Sequence, residues 1–122
     1  MTFFFDNCVP IGLVHILRIL GVSAVHLSER MDPTTADDTW IPQVAAEGRI
    51  IVTSNDWPHK EPAMDKIVQQ VRATVVYLPM HRDQKLWQQA EYLVRHWPRI
   101  TQELEAARRP GFFRATEKGR LR

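Results

Sequence analysis

The fold of this chain is decided near its N-terminus by the stretch Thr2-Phe3-Phe4-Phe5-Asp6-Asn7. Its first four residues all favour β-structure and form a short continuous apolar run, which is typical of a strand buried on both faces. The run ends abruptly at Asp6. Because strands buried on both faces belong to parallel sheets covered by helices, we predict an α/β fold with Asp6 at the end of its first strand.

The remainder of the chain alternates between short apolar runs and helical patterns. Further strands are predicted at residues 22–27, 49–53 and 74–78, and the segments between them are long enough for crossover helices. This pattern predicts a mainly parallel sheet of about four strands flanked by helices. The segment 83–108 is helical in pattern, with a break expected at Trp97-Pro98, and residues 111–122 predict a C-terminal hairpin.

The 122 residues suit one domain, spanning 1–122. Residues 1–94 carry 8 Lys/Arg against 11 Asp/Glu, whereas residues 95–122 carry 8 against 3. The domain therefore divides into an acidic part, about 1–80, and a helical, basic part, about 81–122. The basic part suits either phosphate contacts or a solvated helix face.

Cys8 is the only cysteine, which excludes an internal disulfide and a cysteine zinc cluster. No apolar run is long enough for a membrane span, and the N-terminus lacks the basic lead-in of a signal peptide. We expect a cytoplasmic protein without membrane contact. The sequence leaves a homo-oligomer open.

Acidic residues follow two of the predicted strands, Asp6 after the first and Asp56 after the third. The pair Asp37-Asp38 opens the helix between the second and third strands. Because ligands of parallel sheets bind at the carboxyl ends of the strands, we expect Asp6, Asp37 and Asp56 to converge there. Each acid alone is explained by capping of a turn or helix, and only their joint positions indicate a site.

Three converging carboxylates repel one another unless a cation lies between them. Their hard oxygen ligands favour Mg²⁺ or Mn²⁺. Asp6, Asp37 and Asp56 are therefore the candidate catalytic residues and metal ligands, with Asp38 as a further candidate ligand. Such a site is typical of phosphodiester hydrolysis by an activated water.

Residues beside these acids are candidates for substrate binding: Asn7, Asn55, His59 and Lys60. Of these, His59 and Lys60 supply positive charge next to Asp56, which suits a phosphate. Cys8 has no histidine at a spacing typical of a thiol nucleophile, so we expect an inert, small core residue.

Three motifs together resemble the PIN-like family of small ribonucleases: Phe3-Phe4-Phe5-Asp6-Asn7 with Pro10, then Asp37-Asp38-Thr39-Trp40-Ile41-Pro42, then Ile51-Val52-Thr53-Ser54-Asn55-Asp56. The likeness is greatest to the PIN-like toxins of bacterial toxin-antitoxin operons. The resemblance implies a Mg²⁺- or Mn²⁺-dependent endoribonuclease that cleaves RNA and is silenced by an antitoxin protein. It also implies that Asp6, Asp37 and Asp56 are the family's first three acids.

Two other functions remain open from the sequence. A catalytically inactive PIN-like module would bind RNA or a partner without cutting. A receiver-like signalling domain would also keep acids after its first and third strands, but it needs a lysine after a fifth parallel strand, and the sequence shows no such strand.

Overall fold

The computed structural model describes residues 1–81 and 83–122. The sheet has five strands: β1 (Phe3–Phe5), β2 (Ala24–His26), β3 (Ile50–Thr53), β4 (Thr74–Tyr77) and β5 (Gly111–Arg114). The described helices are α1 (Ile11–Ile19), α2 (Leu27–Arg30), α3 (Asp37–Ala46), α4 (Trp57–Lys60), α5 (Pro62–Gln70) and α6 (Leu86–Ala106).

All pairings between these strands are parallel, in the order β2-β1-β3-β4-β5. The predicted α/β class and parallel sheet are confirmed. The first strand lies between β2 and β3, so the residue that follows it has a strand on either side. A ligand at this edge would lie where the strand order reverses around β1.

Two hydrophobic cores cover the two faces of the sheet. Successive side chains of a strand point to opposite faces, so Phe3 and Phe5 pack with α1 and α6 while Phe4 packs with α3 and α5. This explains why three consecutive phenylalanines are each at most 3% exposed. The uninterrupted apolar run of β1 is a direct consequence of burial on both sides.

The fifth strand corrects the prediction of about four strands. Residues 111–114 were expected as one arm of a hairpin, and they also pair in parallel with β4. The hairpin itself is confirmed: Arg114 exchanges two backbone hydrogen bonds with Arg122, and Ala115 pairs antiparallel with Leu121. The strand ends in Arg114, so the lysine that a receiver-like domain requires after its fifth strand is not found there.

The predicted helix break at Trp97-Pro98 is wrong, because α6 continues through Pro98. A proline removes only the backbone bond to the carbonyl four residues earlier, here that of Val94, which is exposed and therefore open to water. Trp97 and Ile100 are buried in the core on either side and hold the helix in place.

Among the described residues, no helix combines the length and apolar character needed to cross a bilayer.

Candidate active site at the carboxyl edge of the sheet

Asp6 is the most tightly held of the predicted site residues. Its backbone N–H donates to the carbonyl of Val52 in β3 at 2.9 Å, which continues the sheet for one residue beyond β1. Its Oδ1 accepts from the backbone N–H of Asn7 at 2.7 Å, and its Oδ2 accepts from the hydroxyl of Thr53 at 2.9 Å. The residue is only 6% exposed, so these bonds fix the carboxylate within the protein.

Burial raises the pKa of Asp6, because the charged carboxylate loses water. Hydrogen bonds from Thr53 and Cys8 oppose this rise, and the nearby charge of Asp37 adds to it. Ionised Asp6 therefore destabilises the fold in the absence of a cation. The physical cause differs from the repulsion expected from the sequence, since burial outweighs the effect of neighbouring charge.

Asp37 is the second acid at this edge. It is the first residue of α3, half-buried, and its Oδ1 accepts from the indole N–H of Trp40 at 2.8 Å. Trp40 is itself fully buried, so the carboxylate of Asp37 is tied to a rigid group. Asp38 is exposed, and Asp37 is the neighbouring acid whose charge raises the pKa of Asp6. The structure thus favours Asp37 over Asp38 as the partner of Asp6.

Asp56 has a different partner. The guanidinium of Arg114, at the end of β5, donates to both of its carboxylate oxygens, from Nη2 at 2.9 Å and from Nε at 3.1 Å. This bidentate pair links the segment after β3 to β5. Arg114 is thus an internal cation that the sequence pattern did not reveal. His59 lies farther off, with its Nε2 3.9 Å from Asp56 Oδ2, and is 74% exposed.

The expected grouping of three carboxylates is therefore wrong. Among residues 1–81 and 83–122, no three Asp, Glu, His or Cys side chains are grouped closely enough to hold a metal ion. The charge of Asp37 raises the pKa of Asp6, and Asp56 is paired with Arg114. The roles of all three acids in catalysis remain predictions.

Cys8 lies beside the acids and not in the core as expected. The residue is exposed, but its thiol donates to Asp6 Oδ2 at 3.4 Å, and its sulfur accepts from the backbone N–H of Ser54 at 3.3 Å. Burial of the sulfur and the charge of Asp6 both raise the pKa of Cys8. The thiol stays protonated at neutral pH, which agrees with the prediction that it is not a nucleophile.

His26 positions the loop that carries Asp6, and sequence analysis gave it no role. It is buried, and its Nδ1 accepts from the backbone N–H of Ser28 at 3.1 Å. Because Nδ1 is an acceptor, the ring proton of the neutral imidazole lies on Nε2, which donates to the carbonyl of Val9 at 2.7 Å. The sequence does not reveal this contact, because it joins β2 to the loop after β1 across 17 residues.

Two of the four predicted substrate-binding residues, Asn55 and Lys60, line an open cleft of about 600 Å³. The other two, Asn7 and His59, are not among its lining residues; both are exposed, next to Asp6 and beside Asp56 respectively. Residues from four parts of the chain complete the lining: Cys8, Pro10, Ser54, Tyr77, Met80, His81 and Gln89. The cleft adjoins Asp6 through Cys8, which contacts both.

Asp6 and Asp37 fit a divalent cation. Both offer carboxylate oxygens, and Mg²⁺ is commonly held by one or two carboxylates with waters and substrate oxygens completing its shell. The raised pKa of Asp6 indicates negative charge at a poorly solvated position, which a cation would compensate. Each carboxylate also accepts hydrogen bonds from the protein, as metal-ligating carboxylates commonly do.

A family model described as a PIN-like domain matches residues 1–80. The chain belongs to the PIN-like domain family. It has no significant match among curated proteins or among solved structures. The matched PIN-like region contains Asp6, Asp37 and Asp56 and ends before α6 and β5. The segments that supply Gln89 and Arg114 to this edge thus lie outside it.

We expect Asp6→Asn to raise the melting temperature of the metal-free protein by a few degrees at pH 7. A carboxyl whose pKa is raised by folding destabilises the native state when it is ionised. This cost disappears as the pH falls below the pKa that the same carboxyl has in the unfolded chain. The amide keeps the bonds, because its oxygen still accepts from Asn7 and its NH₂ donates to Thr53.

Thermal melts in chelator from pH 7 down to about pH 4 measure this effect. The gain in melting temperature of Asp6→Asn over wild type should shrink as the pH falls. Glu105→Gln, at an exposed position, is the matched control and should show no gain. A lower melting temperature for Asp6→Asn at pH 7, or a gain independent of pH, contradicts this account of Asp6.

The Asp56–Arg114 pair should show a coupling free energy of about 1 kcal/mol in a double-mutant cycle of alanine variants measured by urea unfolding. Its bidentate geometry and the 17% exposure of the Asp56 side chain favour a measurable value, although the 36% exposure of Arg114 limits it through solvent screening. The same cycle for Asp56 and His59 serves as the control and should give a value near zero. Equal coupling in the two cycles would refute the structural role of the ion pair.

Proposed function

We propose that this PIN-like chain is a metal-dependent endoribonuclease that hydrolyses RNA phosphodiester bonds at Asp6 and Asp37. One observation supports this proposal more strongly than the others. A carboxylate only 6% exposed is fixed at the end of β1, an interior strand, and its pKa is raised further by the charge of a second carboxylate. A fold has little structural reason to bury a carboxylate near another acid, since burial of charge costs free energy.

The protein's own residues provide orientation at this site. Asn7 and Thr53 hold the carboxylate of Asp6, and Trp40 holds that of Asp37. Fixed carboxylates need not reorganise during the reaction, which is the main source of electrostatic catalysis. Mg²⁺ or Mn²⁺, when bound by these two residues, would supply a Lewis acid and a water of lowered pKa. Covalent attack by the protein is not needed.

Asp56 contributes to the site through its ion pair with Arg114. Neutralisation of Asp56 lowers the net negative charge at the sheet edge, which favours approach of an RNA backbone. Lys60 and His81 line the neighbouring cleft and suit phosphate contacts. The basic C-terminal part adds positive charge, with Arg108 and Arg109 both exposed.

We further propose that the chain is the toxin of a toxin-antitoxin pair and that an antitoxin protein is its partner. This part rests on the resemblance of the motifs around Asp6, Asp37 and Thr53 to those of PIN-like toxins. The open cleft beside Asp6 suits such control, because a partner segment placed across it would exclude RNA.

An RNA cleavage assay tests the proposal, with wild type, Asp6→Asn and Asp37→Asn compared in Mg²⁺, in Mn²⁺ and in chelator. Each substitution should reduce the rate about a hundredfold or more, since loss of a metal-holding charge removes several kcal/mol of transition-state stabilisation. Glu105→Gln should cut at the wild-type rate, and chelator should abolish cleavage.

Undiminished cleavage by Asp6→Asn, or wild-type cleavage that survives chelator, contradicts the metal-dependent mechanism. Absence of cleavage by wild type in either metal, with the fold intact, would instead support an inactive PIN-like module.

A further inference from the structure

Exposed apolar side chains are concentrated on one side of this molecule. Apart from Met1, the large hydrophobic residues that the described part of the chain exposes all belong to α1, to the residue that ends it, or to α6: Ile11, Ile19, Leu20, Leu86, Trp87 and Val94. These two helices contact each other on the face of the sheet that carries Phe3 and Phe5. An apolar surface of this kind is typical of a protein interface.

Trp87 is the most prominent residue of this surface. It is 63% exposed, whereas Trp40, Trp57 and Trp97 are all buried in the two cores. An exposed indole contributes little hydrophobic stabilisation to the fold. Tryptophan is, however, enriched among the residues that dominate the free energy of binding between proteins.

A stripe of exposed residues continues from Trp87 along the outer side of α6. Glu91, Arg95 and Arg99 follow at intervals of four residues, which places them on one side of the helix, and exposed Val94 lies next to them. We call these five residues the α6 stripe. None of its three charged residues forms an ion pair with another residue in the part of the chain that the structure describes.

The order of residues along the α6 stripe is self-complementary. When two copies of α6 run antiparallel about a twofold axis at the level of Leu93, each residue lies opposite the one equally far beyond that level. Glu91 then lies opposite Arg95 of the partner subunit, and Trp87 lies opposite Arg99 of the partner subunit. The first contact is an ion pair and the second a cation–π contact, and the symmetry forms each of them twice.

A second copy of the chain fits the α6 stripe better than a nucleic acid does. Glu91 lies between Trp87 and Arg95 and would repel a phosphate backbone that contacted both. The partner subunit instead supplies a cation for each Glu91 and an acid for each Arg95. No charge of the stripe between Glu91 and Arg95 is then left without an opposite charge.

We propose that this face is the interface of a homodimer, in which α6 packs antiparallel against α6 of a second copy and the exposed residues of α1 lie at its border. The cleft beside Asp6 stays open in this dimer. Gln89, the residue that lines the cleft from α6, is buried and lies slightly more than half a helical turn from Trp87, on the opposite side of the helix. The dimer therefore does not depend on the proposed nuclease activity.

Sedimentation equilibrium of the full chain from about 1 µM to about 100 µM tests this proposal. Wild type should approach twice the 14.2 kDa mass of one chain. Glu91→Arg and Arg95→Glu should each raise the dissociation constant of the dimer at least about tenfold, because each places like charges opposite one another twice. Lys66→Glu, exposed on α5 at the other face of the sheet, is the matched control and should dimerise like wild type.

An equimolar mixture of Glu91→Arg and Arg95→Glu gives the sharpest result. The arginine introduced in one chain then lies opposite the glutamate introduced in the other, so the mixture should dimerise although neither variant does so alone. Repulsion within each altered helix persists in the mixture and cannot explain such a recovery. Circular dichroism melts check that both variants are folded.

A wild type that stays monomeric up to about 100 µM overturns the proposal and leaves this face to a different protein. A dimer that neither substitution weakens, or a mixture of the two variants that stays monomeric, also overturns it.

Discussion

The burial of the Asp6 carboxylate at the end of the interior strand β1 is the constraint on which the rest of this edge depends. A charge at that position loses water, and its hydrogen bonds to Asn7 and Thr53 offset only part of the cost, as the raised pKa of Asp6 indicates. The surrounding parts are arranged to hold it. The sheet continues through the backbone of Asp6 to Val52, and His26 secures the loop that follows at Val9. Asp37 then adds a second charge that makes the local field still less favourable without a cation.

The charge of Asp56 at this edge is balanced within the protein. Arg114 reaches both oxygens of Asp56, so the third acid predicted from the sequence is neutralised by the fifth strand. The edge thus has two distinct parts. Asp6 follows β1 and is influenced by the charge of Asp37, whereas the Asp56–Arg114 ion pair lies beyond β3. Lys60 and His81 line the neighbouring cleft. In the proposed nuclease, this arrangement would let RNA approach the acidic pair without being repelled by the whole edge.

Local patterns sufficed to predict the first four strands of the sheet, the position of Asp6 and the start of α3 at Asp37. An apolar run that stops at an acid, or a helix that begins at one, is visible within a few residues. The partner of Asp56 was not predictable in this way, because Arg114 is 58 residues distant and acquires its position only when β5 pairs with β4. The continuation of α6 through Pro98 was missed for the same reason, since burial of Trp97 and Ile100 outweighs a local helix-breaking signal. Gln89 looks like any helical glutamine in the sequence. Only the packing shows that its Oε1 is buried without a hydrogen-bond partner among the described residues.

The central proposal is that Asp6 and Asp37 form a cation site while Asp56 stays paired with Arg114. Anomalous diffraction from crystals soaked in Mn²⁺ tests it most directly. The account predicts one peak at about 2.0–2.2 Å from a carboxylate oxygen of Asp6 and of Asp37, with the Asp56–Arg114 pair intact. A peak shared by Asp6 and Asp56 with Arg114 displaced, or no peak beside Asp6 at saturating Mn²⁺, would contradict it.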